Sequence, residues 1–501
     1  MQKYRTTNTM NMSRLHIAIC AIAASVAVGC TNYGGNYFPD DKPSGGGQQS
    51  DDLAIINYID QRLEEEYYWL DEVREKSATF NRRLPWEEYL KASLSKLTTN
   101  SDDGYYNHNG QRYYYSFIRE DVSTRAQTSG YGISLHYTLL ALDQVRLCIA
   151  VEWVYEGTPA AESGIRRGDI IVRYNNADIT RDNYMAVFNA IQNGTGGTIR
   201  LMLKRQLTDE GETDSFNAQI DVATYTPSPV VFSSVNEEYG TKIGYLVYTS
   251  FDTEYDEELL STLQGFQAEG IEALILDLRC NSGGNIISAI KLVSAILGTE
   301  YNERLLCEVR RNPLNSRAEA STEFLLEDVG VALNLREVTI ICSENSASAS
   351  EMVIEGLRGL DIPVKLVGNR TEGKNCGMDV SYRTINGTHL EYAPITFMCF
   401  NAKGFGDFGE GIEPDINIST ENSLDLTDKN YPLPRCTWGG SGDAAYIAAL
   451  AMTLNIDSTT TSQSNVPASL LTTHLATSEE CRYDEVSLPR RFIGTRIIVE
   501  E

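Results

Sequence analysis

The densest chemistry in the sequence lies in Asn345-Ser346-Ala347-Ser348-Ala349-Ser350-Glu351, which leads into the apolar run Met352-Val353-Ile354. An apolar strand ends just before it at Ile341, and a helix pattern runs on to Leu357, so Ser348 stands at a strand-to-helix turn. Ser348 and Glu351 have the S-x-x-E spacing of a capping box, which gives the turn a purely structural explanation. The same position also permits catalysis. The first N–H groups of a helix are unpaired and sit at its positive end, where they can stabilise an oxyanion. A hydroxyl nucleophile held there needs a base. Beyond the first 30 residues the histidines are His108, His136, His389 and His474, and none lies in a segment that reads as a catalytic loop. Lys374, 26 residues after Ser348 in Thr371-Glu372-Gly373-Lys374-Asn375-Cys376-Gly377, is the other candidate. A lysine becomes a base when burial lowers its pKa toward neutrality.

A third segment, Asp277-Leu278-Arg279-Cys280-Asn281-Ser282-Gly283-Gly284-Asn285, follows the buried strand Ala273 to Leu278. The C-terminal ends of such strands are where α/β folds place their sites, and adjacent glycines let backbone N–H groups approach a substrate carbonyl. The elements that must position these segments read as alternating strands and helices. Ile243 to Tyr248 is a strand, and Leu259, Leu260, Leu263 and Phe266 form a helix stripe stopped by Gly270. Ile286 to Leu297 is a helix and Val338 to Ile341 a strand; Asn386-Gly387 marks a hairpin. This alternation predicts βαβ units with helices packed on a sheet.

Together the three segments resemble the C-terminal processing, or tail-specific, serine peptidase family. Its marks are a strand ending in D-L-R-x-N-x-G-G, an S-A-S-A-S-E turn before a helix, and a G-K-x-x-G-type loop about 25 residues later; Gly409-Glu410-Gly411-Ile412-Glu413-Pro414-Asp415 matches its late turn. The resemblance spans roughly residues 50 to 425. It implies a serine endopeptidase with Ser348 as nucleophile, Lys374 as base, and the backbone N–H of Ala349 with that of Gly283 or Gly284 as oxyanion hole. Two positions depart from the family pattern: Met378 stands where many members carry a glutamine that orients the lysine, and Ser282 replaces the usual proline before Gly-Gly.

Gly157-Thr158-Pro159-Ala160-Ala161-Glu162-Ser163-Gly164-Ile165-Arg166-Arg167-Gly168-Asp169-Ile170-Ile171 resembles the PDZ signature. That likeness implies a loop, Tyr131-Gly132-Ile133-Ser134, whose N–H groups receive a peptide C-terminal carboxylate while the peptide adds as a strand to the sheet edge. The expected partners are therefore polypeptides engaged through C-terminal segments.

The chain of 501 residues carries a formal charge of −27 with no basic stripe, which argues against a nucleic-acid partner. Lys3, Arg5 and Arg14 precede the apolar run Leu15 to Val28, which is too short to span a bilayer and reads as a signal peptide. The run ends in Ala27-Val28-Gly29-Cys30, similar to a lipoprotein lipobox, so Cys30 is the expected lipidation site and a bacterial membrane, on its periplasmic or outer side, the expected anchor. No C-x-x-C or H-E-x-x-H occurs, so no metal or cofactor is expected. Gly368 to Asn375 nearly fits a P-loop, but Asn375 replaces the magnesium-binding hydroxyl and a strand follows instead of a helix.

The expected fold class is multidomain α+β: a small N-terminal helical domain, a PDZ-like β domain, and an α/β catalytic domain with βαβ units. The expected boundaries are 1–29 signal peptide, 30–50 flexible tether, 51–125 helical domain, 126–227 PDZ domain, 228–425 Ser-Lys peptidase domain, and 426–501 C-terminal helix and tail. The competing expectation is a catalytically weak or inactive peptide-binding lipoprotein on the same scaffold, which Met378 alone favours.

Overall fold

The computed structural model describes residues 48–106, 110, 112–120, 128–141, 146–206, 213–418, 437–440, 443–456, 485–487 and 497–498. Cys30 and the apolar leader lie outside the described residues.

A mostly parallel six-stranded sheet carries the candidate chemistry. Val230–Glu238 pairs antiparallel with Thr241–Tyr248, and Ala273–Asp277, Val338–Cys342, Val364–Gly368 and Ile416–Asn417 follow in parallel. The central strands Ala273–Asp277 and Val338–Cys342 are mostly apolar and buried because both faces are covered. Leu246, Leu274, Leu276, Ile340 and Leu366 pack with the helices Asp256–Glu269, Ile286–Leu297 and Ala349–Gly359. Their neighbours Tyr245, Val247, Ile275, Ile341 and Val367 pack with the helix Ala444–Thr453. The two-residue period of a strand sorts them to opposite faces. Gly270 ends its helix in the left-handed conformation, φ 68°.

The helix Gln48–Glu66 contains Asp51 and Asp52 in its first turns. Leu53 is exposed, and the apolar stripe is Ile55, Ile56, Ile59 and Leu63. With Leu70–Lys76 and Trp86–Leu94, this helix packs on strands from far along the chain. Ile56, Leu63, Tyr67 and Leu90 share one core with Cys376, Met378, Leu390, Tyr392 and Ile395. A second sheet runs through Cys376–Met378, Ile395–Asn401, Leu305–Arg311 and Ser321–Leu325. Phe117–Glu120 pairs with Thr388–Ala393, one arm of the Asn386-Gly387 hairpin.

Between these parts, Ile133–Ala141, Arg146–Val154, Ile170–Tyr174, Ala177–Thr180, Ile199–Gln206 and Thr213–Ile220 form an antiparallel sheet closed by the helix Tyr184–Gln192. Its core is its own, from Ile133 and Val151 to Phe188 and Leu203. A polar cluster docks this unit on the parallel sheet. The Arg167 guanidinium stacks on Trp438 at 3.8 Å, and Arg279 binds both Asp277 and Asp443, which caps the Ala444–Thr453 helix.

Candidate active site

The Val338–Cys342 strand leads into the serine turn, and the Ala349–Gly359 helix leaves it. Ser348 sits between them at φ 58°, ψ −114°, a backbone conformation that costs about 1–3 kcal/mol for a residue with a Cβ. The turn is tied to the segment after Asp277 by its other hydroxyls. Ser346 Oγ donates to Leu278 O at 2.7 Å, Ser350 Oγ to Asn281 O at 2.9 Å and Ser343 Oγ to Arg279 O at 2.6 Å. Ser348 Oγ is buried and, among the described residues, makes no hydrogen bond of normal geometry, only the loose capping contact with the N–H of Glu351.

The lysine loop is tied to the same turn through Glu351. One carboxylate oxygen, Oε2, accepts from the N–H groups of both Ser348 and Lys374, each at 2.9 Å. The other, Oε1, accepts from Gly373 N–H at 2.7 Å and Thr371 Oγ1 at 2.6 Å. Burial raises the Glu351 carboxyl to about 7 against the pull of these donors. The spacing read as a capping box thus does more than cap a helix, because its carboxylate fastens the backbones of Ser348 and Lys374 to one group.

Lys374 is fully buried, and burial lowers its amine to about 8 while Cys376, Asp103, Glu372 and Glu351 pull it back up. Its Nζ lies over the Tyr115 ring, 5.0 Å from the centroid. Tyr115 and Asp103 come from the N-terminal region and were invisible as site residues in the sequence, where nothing marks a tyrosine among Tyr113, Tyr114 and Tyr115. Ser348 and Lys374 are both buried at 0 % exposure.

The two glycines are required by close approach. A Cβ on Gly283 would lie 2.8 Å from Ser348 Cβ and 3.0 Å from Ala349 N, and one on Gly284 would overlap Phe251 O at 2.0 Å. Gly283 N–H donates to Asn281 Oδ1 at 2.8 Å, so it must release that bond before serving an oxyanion. Gly284 and Asn285 pair in parallel with Ile497 and Ile498. Met378 is buried in the core shared with the N-terminal helices. Of the histidines, His389 is exposed on the hairpin and bonded to Thr384, His136 lies on the Ile133–Ala141 strand, and His108 and His474 fall outside the described residues. Among the described residues no cluster could hold a metal ion, and no helix is long and apolar enough to cross a membrane.

The Tyr131–Ser134 loop turns at Gly132, φ 79°, where a Cβ would lie 2.3 Å from Thr158. Gly132 O accepts from Tyr155 N–H at 2.9 Å. The strand that follows, Ile133–Ala141, is at the edge of its sheet apart from a pairing with Glu485–Ser487.

Comparison with known proteins places family matches on these parts. Residues 242–418 match the model for "Peptidase family S41" and residues 150–205 that for "PDZ domain". A carboxyl-terminal-processing protease of a Picosynechococcus species is 24 % identical over 317 residues, 63 % of this chain and 70 % of that protein. A probable CtpA-like serine protease of Staphylococcus epidermidis is 23 % identical over 374 residues, 74 % of this chain and 67 % of that one. The fold is shared with a crystal structure of a candidate S41 protease from Bacteroides fragilis, with a TM-score of 0.64 and 21 % identity over 84 % of this chain and 100 % of the other.

Proposed function

We propose that this chain, a serine-type peptidase that matches the models for peptidase family S41 and the PDZ domain, cleaves polypeptides with a Ser348–Lys374 dyad, after its PDZ domain has captured a C-terminal segment of the substrate. The observation that carries the dyad is the contrast within the turn. Ser346 and Ser350 spend their hydroxyls on carbonyls, whereas Ser348 Oγ is buried at a helix N-terminus with only a loose capping contact, and Glu351 Oε2 holds its backbone together with that of Lys374.

The steps follow from these groups. The neutral Lys374 amine takes the Ser348 hydroxyl proton as Oγ bonds to the substrate carbonyl carbon. The carbonyl oxygen becomes an oxyanion, which the N–H groups of Ala349 and of Gly284 or Gly283 stabilise. The ammonium then gives its proton to the leaving nitrogen as the C–N bond breaks and an ester to Ser348 remains. Water adds to that ester, losing one proton to Lys374; collapse releases the acid, and the proton returns to Oγ. An amine held near 8 is well matched to this shuttle, since a free lysine near 10.4 is almost entirely protonated at neutral pH.

Capture at the PDZ domain is supported by the Tyr131–Ser134 loop and by the strand after it, whose outer side already pairs with an extended segment, Glu485–Ser487. Export and lipid attachment through Cys30 at the cell envelope rest on the leader sequence. A denatured protein substrate with a free C-terminus, incubated with the parent chain and with Ser348→Ala, tests the activity. Cleavage by the parent and none by the variant is expected; equal cleavage by both removes Ser348 as nucleophile, and no cleavage by either favours a peptide-holding protein.

A further inference from the structure

Met378 stands where the family resemblance puts a lysine-orienting glutamine, and it is buried in an apolar core. One group that faces the amine comes from the N-terminal region. Tyr115 is 5 % exposed, Lys374 Nζ lies over its ring at 5.0 Å, and its hydroxyl donates to Glu372 Oε1 at 3.2 Å. We propose that Tyr115 is a positioning residue for the base: its ring face holds the Lys374 ammonium that exists after proton transfer. The inference rests on Lys374 acting as the base.

The chemistry favours a ring over a carboxylate at this place. A base must be neutral before the reaction and a cation partway through it. A desolvated carboxylate against the amine would keep it protonated, and no proton could be accepted. An aromatic face attracts the cation through its quadrupole, more weakly, and offers the neutral amine no strong acceptor to bind. At a desolvated site such a face changes proton affinity by roughly a factor of ten, enough to favour the charged intermediate without trapping it. Glu372 is two residues from Lys374, and its charge favours the ammonium. Other groups near the amine among the described residues are Asp103 from the N-terminal region, Glu351 on the Ala349–Gly359 helix, and Cys376 and Cys399 on neighbouring strands. Tyr115 differs from these in favouring the cation through an aromatic face.

Comparison of Tyr115→Phe with Tyr115→Leu isolates the ring, since both lack the hydroxyl. The Phe variant is expected to keep the high-pH plateau of kcat within about twofold of the parent, while the Leu variant loses about tenfold. The acid limb of kcat/KM is expected about one pH unit lower for Leu than for Phe, because the ammonium has lost its ring. A role in packing alone would lower the plateau without moving the limb in that direction. If Leu fails to fold, pentafluorophenylalanine at position 115 replaces it, since it keeps the ring's shape and reverses its quadrupole. Titration of 13C-labelled lysine side chains by NMR gives the Lys374 pKa directly, so the order is read even from a chain that hydrolyses nothing. That result would end the peptidase reading and leave the ring contact decided by the titration. Coincident plateaus and limbs for Phe and its ring-altered counterpart, with coincident Lys374 titrations, overturn the proposal.

Discussion

Ser346, Ser348 and Ser350 are equivalent in type and spacing, yet their hydroxyls have different surroundings. Two donate to carbonyls that fix the turn, and the third is left with only a loose capping contact. Ser348→Ala should therefore abolish hydrolysis with little change in unfolding temperature. Ser346→Ala and Ser350→Ala should each cost about 1 kcal/mol of stability, measured by denaturant unfolding, and lower turnover through loosening of the turn. Retention of parental turnover by Ser348→Ala would move the nucleophile elsewhere. Lys374 should show the opposite balance of activity and stability. Its folded pKa lies below its unfolded one, so the native state binds fewer protons between about 8 and 10.5 and gains stability as pH rises through that window. Below it, the buried amine opposes folding. Lys374→Met should thus be inactive yet more stable at pH 7 by about 2–3 kcal/mol, and Lys374→Arg inactive, since it keeps a charge it cannot release. For the parent, kcat/KM should rise with pH along a limb near 8; a limb near 10 would show an amine that burial has not lowered. Ser348 and Lys374 can be singled out as candidates from the sequence because a motif marks each. Tyr115 cannot, because its claim on the site comes from a fold that brings residues 259 positions apart into contact.

The regular elements were readable wherever a period or a cap reports them. Gly270 stops its helix in the left-handed conformation, and Asn386 and Gly387 both turn with positive φ between paired strands. The start of the first helix is not readable, because its opening residues Gln48 to Ser50 carry no apolar pattern, and the acids behind them suit a cap or a first turn near the positive end of the dipole equally. The docking of the PDZ unit was not readable at all, since it depends on charges from three distant stretches. Arg279 binds Asp277 and Asp443, Arg167 stacks on Trp438, and Cys280 Sγ donates to Glu152 Oε1 at 3.6 Å. Removing Asp443 would leave two arginines short of a counter-charge in a buried place. Asp443→Ala should therefore destabilise the chain by about 3–5 kcal/mol in denaturant unfolding; a loss below 1 kcal/mol would show that solvent enters and compensates. A substitution such as Gly132→Trp, by contrast, reports on folding, because any side chain there meets Thr158.

At the scale of the molecule, the stretch recognised as peptidase is not closed on itself. Cys376, Met378, Leu390, Tyr392 and Ile395 find their apolar partners on the N-terminal helices. A fragment of residues 228–425 should consequently be recovered aggregated or molten, with early proteolysis in 376–398, while a chain from residue 48 onward folds. A soluble, cooperatively unfolding 228–425 fragment would contradict the shared core. Tyr115 and Asp103, which bear on the lysine, lie outside the matched residues 242–418. The proposed nucleophile and base thus lie in one stretch of sequence, and groups that bear on the lysine's proton affinity lie in another. A lineage could move its working pH by substitutions at 103 or 115 and leave every signature residue of the catalytic stretch as it was, so two chains identical across that stretch need not share a pH optimum.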